Sequence, residues 1–390
     1  MESVKTWVEI SSRRLIANYN LLQQAAGPDT TVLAVIKANA YGHATELCAL
    51  ALARAGAPWL GVADPPEGAA VRKALTAAGM HHQPRILIMS PPFPEDTALL
   101  FEHNLTPVIW LPQHIDWLTA AANKASAPLP FHLEIDTGMA RQGISPGPEL
   151  NALLHAIQHH PHLHLEGLLT HFASAEIPGS PLTHLQRTRF EQAVTQTKAS
   201  GLNPQWLHAG SSSSLDAHPE DTLPWLSNLA SSTNAKPMVR TGIALYGYSL
   251  PTTEPNIHSA LQPVLTWKTR IAALRDIAPG DTIGYNATYT AQRPMRIALL
   301  PIGYAEGLRR ELSSSNAHPG GWAIVRGHRA PIVGRISMNL TTIDVTEIPA
   351  ALDDEVILLG DNITADDHAQ IAETISYEIL CAIRAPARLT

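Results

Sequence analysis

The chain carries seven lysines in 390 residues, and one of them, Lys37, directly follows the apolar run VLAVI (32–36). A lysine desolvated by an apolar wall holds its proton less tightly and is a better nucleophile toward carbonyls. Schiff-base chemistry is therefore the functional reading of Lys37. A snorkelling surface lysine or a buried ion pair is the plainer one, and position alone leaves both open. Other polar residues also sit at or just beyond the ends of apolar runs: Asp136 and Arg141 in DTGMARQG, His171 in LTHFA, Ser212 in HAGSSSS, and Arg240, Gly242 and Ile243 in VRTGI.

The elements that must position these residues alternate. Apolar runs occupy 32–36, 59–63, 85–89, 105–109, 131–136, 165–171, 205–210 and 237–243. Each is short and mostly apolar, as strands buried on both faces are. Segments 18–26, 45–56, 64–79 and 183–201 read as helices between them, several stopping at glycine. Eight strand–helix units in sequence predict an α/β fold, a (β/α)8 TIM-like barrel. A doubly wound open sheet is the alternative, but no GxGxxG follows any run. After residue 250 the rhythm changes. Pro251–Pro263 reads as a linker; VLTWKTRIAAL, MRIALL, WAIVRG, APIVGRI, TTIDV and EVILLG then follow at close spacing, predicting a mostly-β domain with a short helix near 366–375. The expected domains are 1–250 and 251–390. The serine tracts 211–215 and 313–315 read as loops.

A barrel places its active site at the C-terminal ends of its strands. Lys37, Asp136, Arg141, His171, Ser212 and Arg240 then share one rim, a convergence more informative than any one of them. The loops after strands seven and eight bind phosphate in many barrels, and here they offer Ser212 and the backbone N–H groups around Gly242 and Ile243. A turn glycine in a solvated serine loop is the plainer reading.

Composition bounds the rest. The formal charge is −7 with both signs interspersed, which argues against nucleic acid as a partner. No basic-then-apolar leader and no membrane-length apolar run is evident, and Cys48 and Cys381 lie in apolar surroundings, so a reduced, cytoplasmic chain is expected. HHPHLH (159–164) precedes the sixth run, on the opposite rim, with no cysteine or clear carboxylate set; it reads as a solvated loop, and no metal is expected. HAGSSSS lacks a GxSxG elbow, so a serine nucleophile is not expected. Asp64 and Asp136 read as structural.

Taken together, AVIKANAYGHA, DTGMARQG, LTHFA, VRTGIALYG, GYNATY, LPIGYAEGLRR, GRISMNLTTIDV and SYEILC, in this order, resemble the bacterial alanine racemase family over nearly the whole chain. The resemblance implies a homodimer that binds pyridoxal 5'-phosphate and interconverts L- and D-alanine by a two-base mechanism, supplying D-alanine for peptidoglycan. Lys37 would carry the cofactor as a Schiff base and serve one face of the substrate. Tyr285, from the partner subunit, would serve the other. Arg240 would hydrogen-bond the pyridine nitrogen. Tyr41, Ser212, Gly242, Ile243 and Tyr377 would hold the phosphate. Arg141 and the partner's backbone at Met338 would hold the substrate carboxylate, and His171 would pack at the cofactor and link to Tyr285.

Three departures stand out. Many members carry a lysine seven residues before the substrate arginine, modified to a carbamate; here Glu134 supplies a carboxylate without modification, and it is expected to orient Arg141 directly or through water. Asn339 stands where aspartate is common, near the substrate entrance, and the lost charge is expected to widen substrate range. HAGSS replaces an Asn-Ser, so Ser212 aligns best with the phosphate but Ser211 or Ser213 remains open. Tyr377 favours alanine over serine. The competing readings are a broader-specificity racemase, a cofactor-homeostasis protein matching the first domain only, a decarboxylase of the same fold type, and a cofactor-free Schiff-base aldolase.

Overall fold

The computed structural model describes residues 5–80, 83–216, 219–249 and 260–390. They fall into two compact units, one of Leu15–Ala40 and Thr45–Leu261, the other of Met1–Arg14, Tyr41–Ala44 and Gln262–Thr390. The first strand, β1 (Thr6–Ile10), lies in the second unit. The eight apolar runs form β2 (Thr31–Val35), β3 (Trp59–Val62), β4 (Arg85–Ile88), β5 (Leu105–Ile109), β6 (Leu129–Glu134), β7 (Leu163–Leu169), β8 (Trp206–His208) and β9 (Lys236–Thr241). They pair in parallel in chain order, and β9 pairs back to β2, so the sheet closes into a barrel. Every residue of β3 and β5 is buried, which is why these runs carry no polar alternation.

Helices fill the crossovers. Asp64 caps Pro65–Ala77 by accepting from Glu67 N at 2.9 Å, and proline opens that helix where a missing N–H costs nothing. The first helix runs Ser12–Ala26, starting before the expected 18–26; Leu15, Tyr19, Leu22 and Ala26 make one buried stripe of helical period. Gly56, Gly79 and Gly201, with φ of +83°, +63° and +78°, follow their helices as left-handed stops.

Inside the barrel, the ring of His132 fills the space a side chain at Gly167 would need. A Cβ there would lie 2.7 Å from His132 Nδ1. The β6–β7 register shifts between Phe131 and His132. Gly167→Ala should therefore cost about 1–3 kcal/mol by overpacking. Urea unfolding would show this as a lower midpoint at constant slope; an unchanged midpoint would mean the ring can give way.

In the second unit, β1 departs from the boundary drawn at residue 250. It pairs antiparallel with Leu265–Arg270, from Thr6 opposite Thr269 to Ile10 opposite Leu265, and parallel with Ala387–Leu389. Trp7, Val8 and Ile10 are buried there, and Trp267 Nε1 donates to Thr6 Oγ1 at 3.0 Å. The six-stranded sheet is completed by Glu355–Leu359, Trp322–Val325 and His328–Pro331. Ala273–Ile277, Met295–Leu300 and Thr341–Asp344 form a three-stranded sheet, and Thr282–Ile283 pairs with Tyr289–Thr290. The helix expected near 366–375 is two helices, Ala365–Ile371 and Ser376–Cys381, the first capped by Thr364 with Asp367. The tract 211–215 is not all loop: Ser212–Asp216 is a helical turn. Most of the expected linker lies outside the described residues. Among the described residues no helix is long and apolar enough to cross a membrane.

Candidate active site

Lys37 stands two residues beyond the last residue of β2, and the chain then turns left-handed. Ala38, Asn39, Ala40 and Tyr41 have φ of 55°, 56°, 51° and 54°, and Gly42 follows at 83°. Each non-glycine residue in that conformation costs roughly 1–2 kcal/mol. The turn is held by the Glu67 carboxylate, which accepts from Asn39 N at 3.2 Å and Ala63 N at 2.8 Å. Asn39 Oδ1 accepts from Thr45 N at 3.3 Å, and Thr45 Oγ1 donates to Ile36 O at 3.3 Å. Neither the turn nor Glu67 was anticipated. Backbone strain held by surrounding bonds is characteristic of functional segments.

Burial pushes the Lys37 ammonium down from its ordinary value, and the Arg141 and Arg240 charges add to that; Glu67 and Glu134 act against it. A larger share of Lys37 is then the neutral amine that carbonyl chemistry needs. The charges of Lys37, Glu134, Arg141 and Arg240 act on one another and on His171, and the chain positions of these residues put them at or beyond the C-terminal ends of β2, β6, β7 and β9.

Arg240, at the end of β9, is 4% exposed. One Nη2 hydrogen bond runs to Thr170 O at 2.6 Å, and Nη2 also lies 3.4 Å from His171 Nδ1. Burial lowers the guanidinium to about 10, leaving it charged at neutral pH. Burial and the neighbouring cations Arg240, Arg141 and Lys37 push His171 down to about 3, so its ring is neutral. Since Arg240 can only donate, Nδ1 of His171 is the acceptor and Nε2 carries the proton. Nη1 of Arg240 is buried without a hydrogen-bond partner among the described residues.

The serines of this tract differ in their bonds. Ser212 Oγ accepts from Gly242 N at 3.0 Å and Ala244 N at 3.3 Å, whereas Ser214 Oγ accepts from Ser211 N at 3.2 Å. Ser212 Oγ thus sits against the segment of Gly242 and Ile243 as an acceptor, with its own hydroxyl proton left to donate. In the second unit, Tyr41 and Tyr377 lie with ring centroids 5.9 Å apart. Burial holds the Tyr41 hydroxyl well above the ordinary tyrosine range, so it stays a donor. The second unit also carries Tyr285 and Met338, which are 68% and 57% exposed. Positive φ at Gly284, Asn286 and Ala287 shapes the loop around Tyr285.

Glu134 is buried, and its hydrogen bond goes to Gln142 Nε2, not to Arg141. That corrects the direct form of the expected Glu134–Arg141 contact: Arg141 reaches Glu134 as a nearby charge. Burial raises the Glu134 carboxyl above its usual range, and the Gln142 bond and both arginines oppose this. Gln142 adjoins Arg141 in the sequence, and that adjacency was the available signal. Asp136 is structural, accepting from Gly138, Met139 and Ala140 N at 2.9, 3.0 and 3.1 Å. Asn339 Nδ2 donates to Glu306 Oε1 at 2.7 Å, a bond an ionised aspartate there could not make.

A closed parallel barrel with a desolvated lysine and two arginines acting on it can carry Schiff-base chemistry. The chain belongs to the alanine racemase family: residues 10–250 match the alanine racemase N-terminal domain and residues 264–389 the C-terminal domain. It is 38% identical to the alanine racemase of Syntrophobacter fumaroxidans, covering 97% of this chain and 95% of that one. Against the alanine racemase of Halothermothrix orenii identity is 35%, covering 97% and 94%. Among solved structures, the alanine racemase of Streptomyces lavendulae superposes with a TM-score of 0.87 at 31% identity, covering 100% and 98%. The Bacillus anthracis alanine racemase with bound L-Ala-P superposes with a TM-score of 0.85 at 30% identity, covering 100% and 96%.

Proposed function

We propose that this protein interconverts L- and D-alanine with pyridoxal 5'-phosphate held at Lys37. The observation that carries the reading is the desolvated Lys37 amine grouped with Arg141 and Arg240 on a family-matched barrel. The residues fit the cofactor. Ser212, whose Oγ is held by Gly242 N and Ala244 N, keeps a hydroxyl proton to donate to a phosphate. Nη1 of Arg240, buried and without a hydrogen-bond partner among the described residues, offers a donor for a pyridine nitrogen. The cofactor, when bound, supplies the electron sink that makes the weakly acidic Cα–H removable.

The protein's residues do the remainder. Lys37, as a desolvated neutral amine, would take or return a proton at Cα on one face. Arg141 holds the substrate carboxylate. Arg240 stays protonated and donates to the pyridine nitrogen, keeping that nitrogen unprotonated. Tyr285 of a second copy serves the opposite face, and the backbone at Met338 of that copy adds a donor for the carboxylate. The large exposed side chains Tyr285, Tyr304, Met338 and Leu340, on one unit, support a homodimer that covers them.

Purified protein loaded with cofactor should abolish the optical rotation of L-alanine and do so faster than that of other L-amino acids. Cofactor binding without racemisation would favour a homeostasis protein, and equal rates across the panel a broad-specificity racemase.

Glu134 orients Arg141 through Gln142 and through charge. Glu134→Gln should raise KM for alanine about tenfold with a smaller change in kcat, since ground-state positioning is lost. Initial-rate kinetics check this, and an unchanged KM would remove Glu134 from the substrate site. Added bicarbonate should not alter the rate of the parent protein, because no lysine occupies position 134.

A further inference from the structure

In the second unit the loop 303–307 lies directly against the loop 337–340. A Cβ at Gly303 would fall 2.1 Å from Ser337 O and 2.4 Å from Met338 O, so only glycine permits this approach. Tyr304 N donates to Ser337 O at 3.2 Å, and Ala305 N donates to Met338 O at 2.9 Å. The facing loop is closed on itself by Ser337 N donating to Leu340 O at 2.9 Å. Beyond it, Thr341 Oγ1 donates to Ile302 O at 2.7 Å.

These bonds decide where the other ends of two peptides point. A trans peptide is planar, and no cis bond occurs among the described residues, so each N–H points opposite to the carbonyl that precedes it. The carbonyls of Ser337 and Met338 are both taken by the loop 303–307. The N–H groups of Met338 and Asn339 therefore both face away from that loop, and neither donates to another group among the described residues. Met338 is 57% exposed, so the side they face is open in the single chain. Successive backbone N–H groups turned to one side make a concave receiver for an anion such as a carboxylate.

One pair of side chains joins the two loops. Glu306 Oε2 accepts from Gly303 N at 2.9 Å, and its Oε1 accepts from Asn339 Nδ2 at 2.7 Å. The Glu306 carbonyl accepts from Arg384 N at 2.9 Å, which fixes this residue from behind. An ionised aspartate at 339 has no proton to give and would set two carboxylates against each other. We propose that Glu306 and Asn339 are positioning residues for the substrate carboxylate: their bond holds the Met338 and Asn339 N–H groups where the carboxylate of an α-amino acid meets them. The inference rests on the reading that Met338 of a second copy completes the site of Lys37 and Arg141. It gives asparagine at 339 a use that aspartate could not serve.

The test compares cofactor-loaded parent, Asn339→Asp, and Asn339→Asp combined with Glu306→Gln. Asn339→Asp should raise KM for alanine about five- to tenfold and change kcat by less than about twofold, because a ground-state contact is misplaced. Competitive inhibition by propionate, which offers a carboxylate and no amine, should weaken by the same factor. Glu306→Gln in the same chain puts an amide donor opposite Asp at 339, while its carbonyl oxygen still accepts from Gly303 N. The bond then re-forms with its polarity reversed, and both constants should return to within about twofold of the parent. Where Asn339→Asp does not fold, Asn339→Ala serves: it should raise KM likewise, and Glu306→Gln should not correct it. A lower unfolding temperature with KM and propionate inhibition unchanged would reduce the pair to a structural bond and overturn the proposal. So would a raised KM in Asn339→Asp that Glu306→Gln leaves in place. A parent protein that racemises no alanine would instead overturn the reading on which the proposal rests, whatever the variants do.

Discussion

Lys37→Arg should fold, keep its positive charge and lose racemisation by about 10²–10⁴-fold, the range a positioned proton-transfer group contributes. Arginine stays protonated, so it can neither form the Schiff base nor take a proton from Cα. Ser212 and its backbone partners at Gly242 and Ala244 are untouched by the change, so phosphate binding should persist. The expected signature is cofactor that binds but dialyses away, with no Schiff-base absorption. Retention of more than a tenth of the parent rate would remove Lys37 from the chemistry. The left-handed turn after Lys37 should remain, because the Glu67 bonds that hold it go to the backbone of Asn39 and Ala63.

Tyr285→Phe should also cost about 10²–10⁴-fold in rate while leaving cofactor absorption as in the parent. The more informative result comes from mixing. If each site takes Lys37 from one copy and Tyr285 from the other, a heterodimer of Lys37→Ala and Tyr285→Phe chains has one doubly impaired site and one intact site. Random re-pairing makes half of the dimers mixed, so about a quarter of the parent activity should return from two inactive proteins. No recovery after demonstrated subunit exchange would confine both residues to the same chain's site. Exposure of the Tyr285 side chain in the single chain is what motivates the experiment.

The barrel was readable because its strands are continuous apolar runs with punctuated ends; all eight runs became β2–β9. β1 was missed because TWVEI is short, contains Glu9, and meets its partner strand some 260 residues later, a pairing no local pattern reports. The segment KANAYG carries helix-compatible residues, and nothing in their types announces a left-handed turn. Its hand is set by Glu67, Asn39 and Thr45 acting across the loop. The rim residues were legible as chemistry at strand ends, but partner choice was not. Glu134 prefers Gln142, and Ser212 is distinguished from its neighbours by N–H groups arriving from the far end of β9. Both depend on how loops close in space, which side-chain type alone does not encode.

The pairing of β1 with Leu265–Arg270 has a consequence for how the chain is made. A ribosome emits the chain from its N-terminus, so Thr6–Ile10 emerges ahead of the barrel and finds its neighbour only after the whole barrel sequence has followed. At 5–20 residues per second the interval is about 15–50 s. Throughout it, a strand edge bearing Trp7, Val8 and Ile10 is without its native cover. The barrel closes on itself through β9 and β2 and can form in that time. The second unit cannot, since its sheet has β1 between Leu265–Arg270 and the C-terminal Ala387–Leu389. Synthesis of Ala387–Leu389, rather than of any earlier segment, is therefore what completes it.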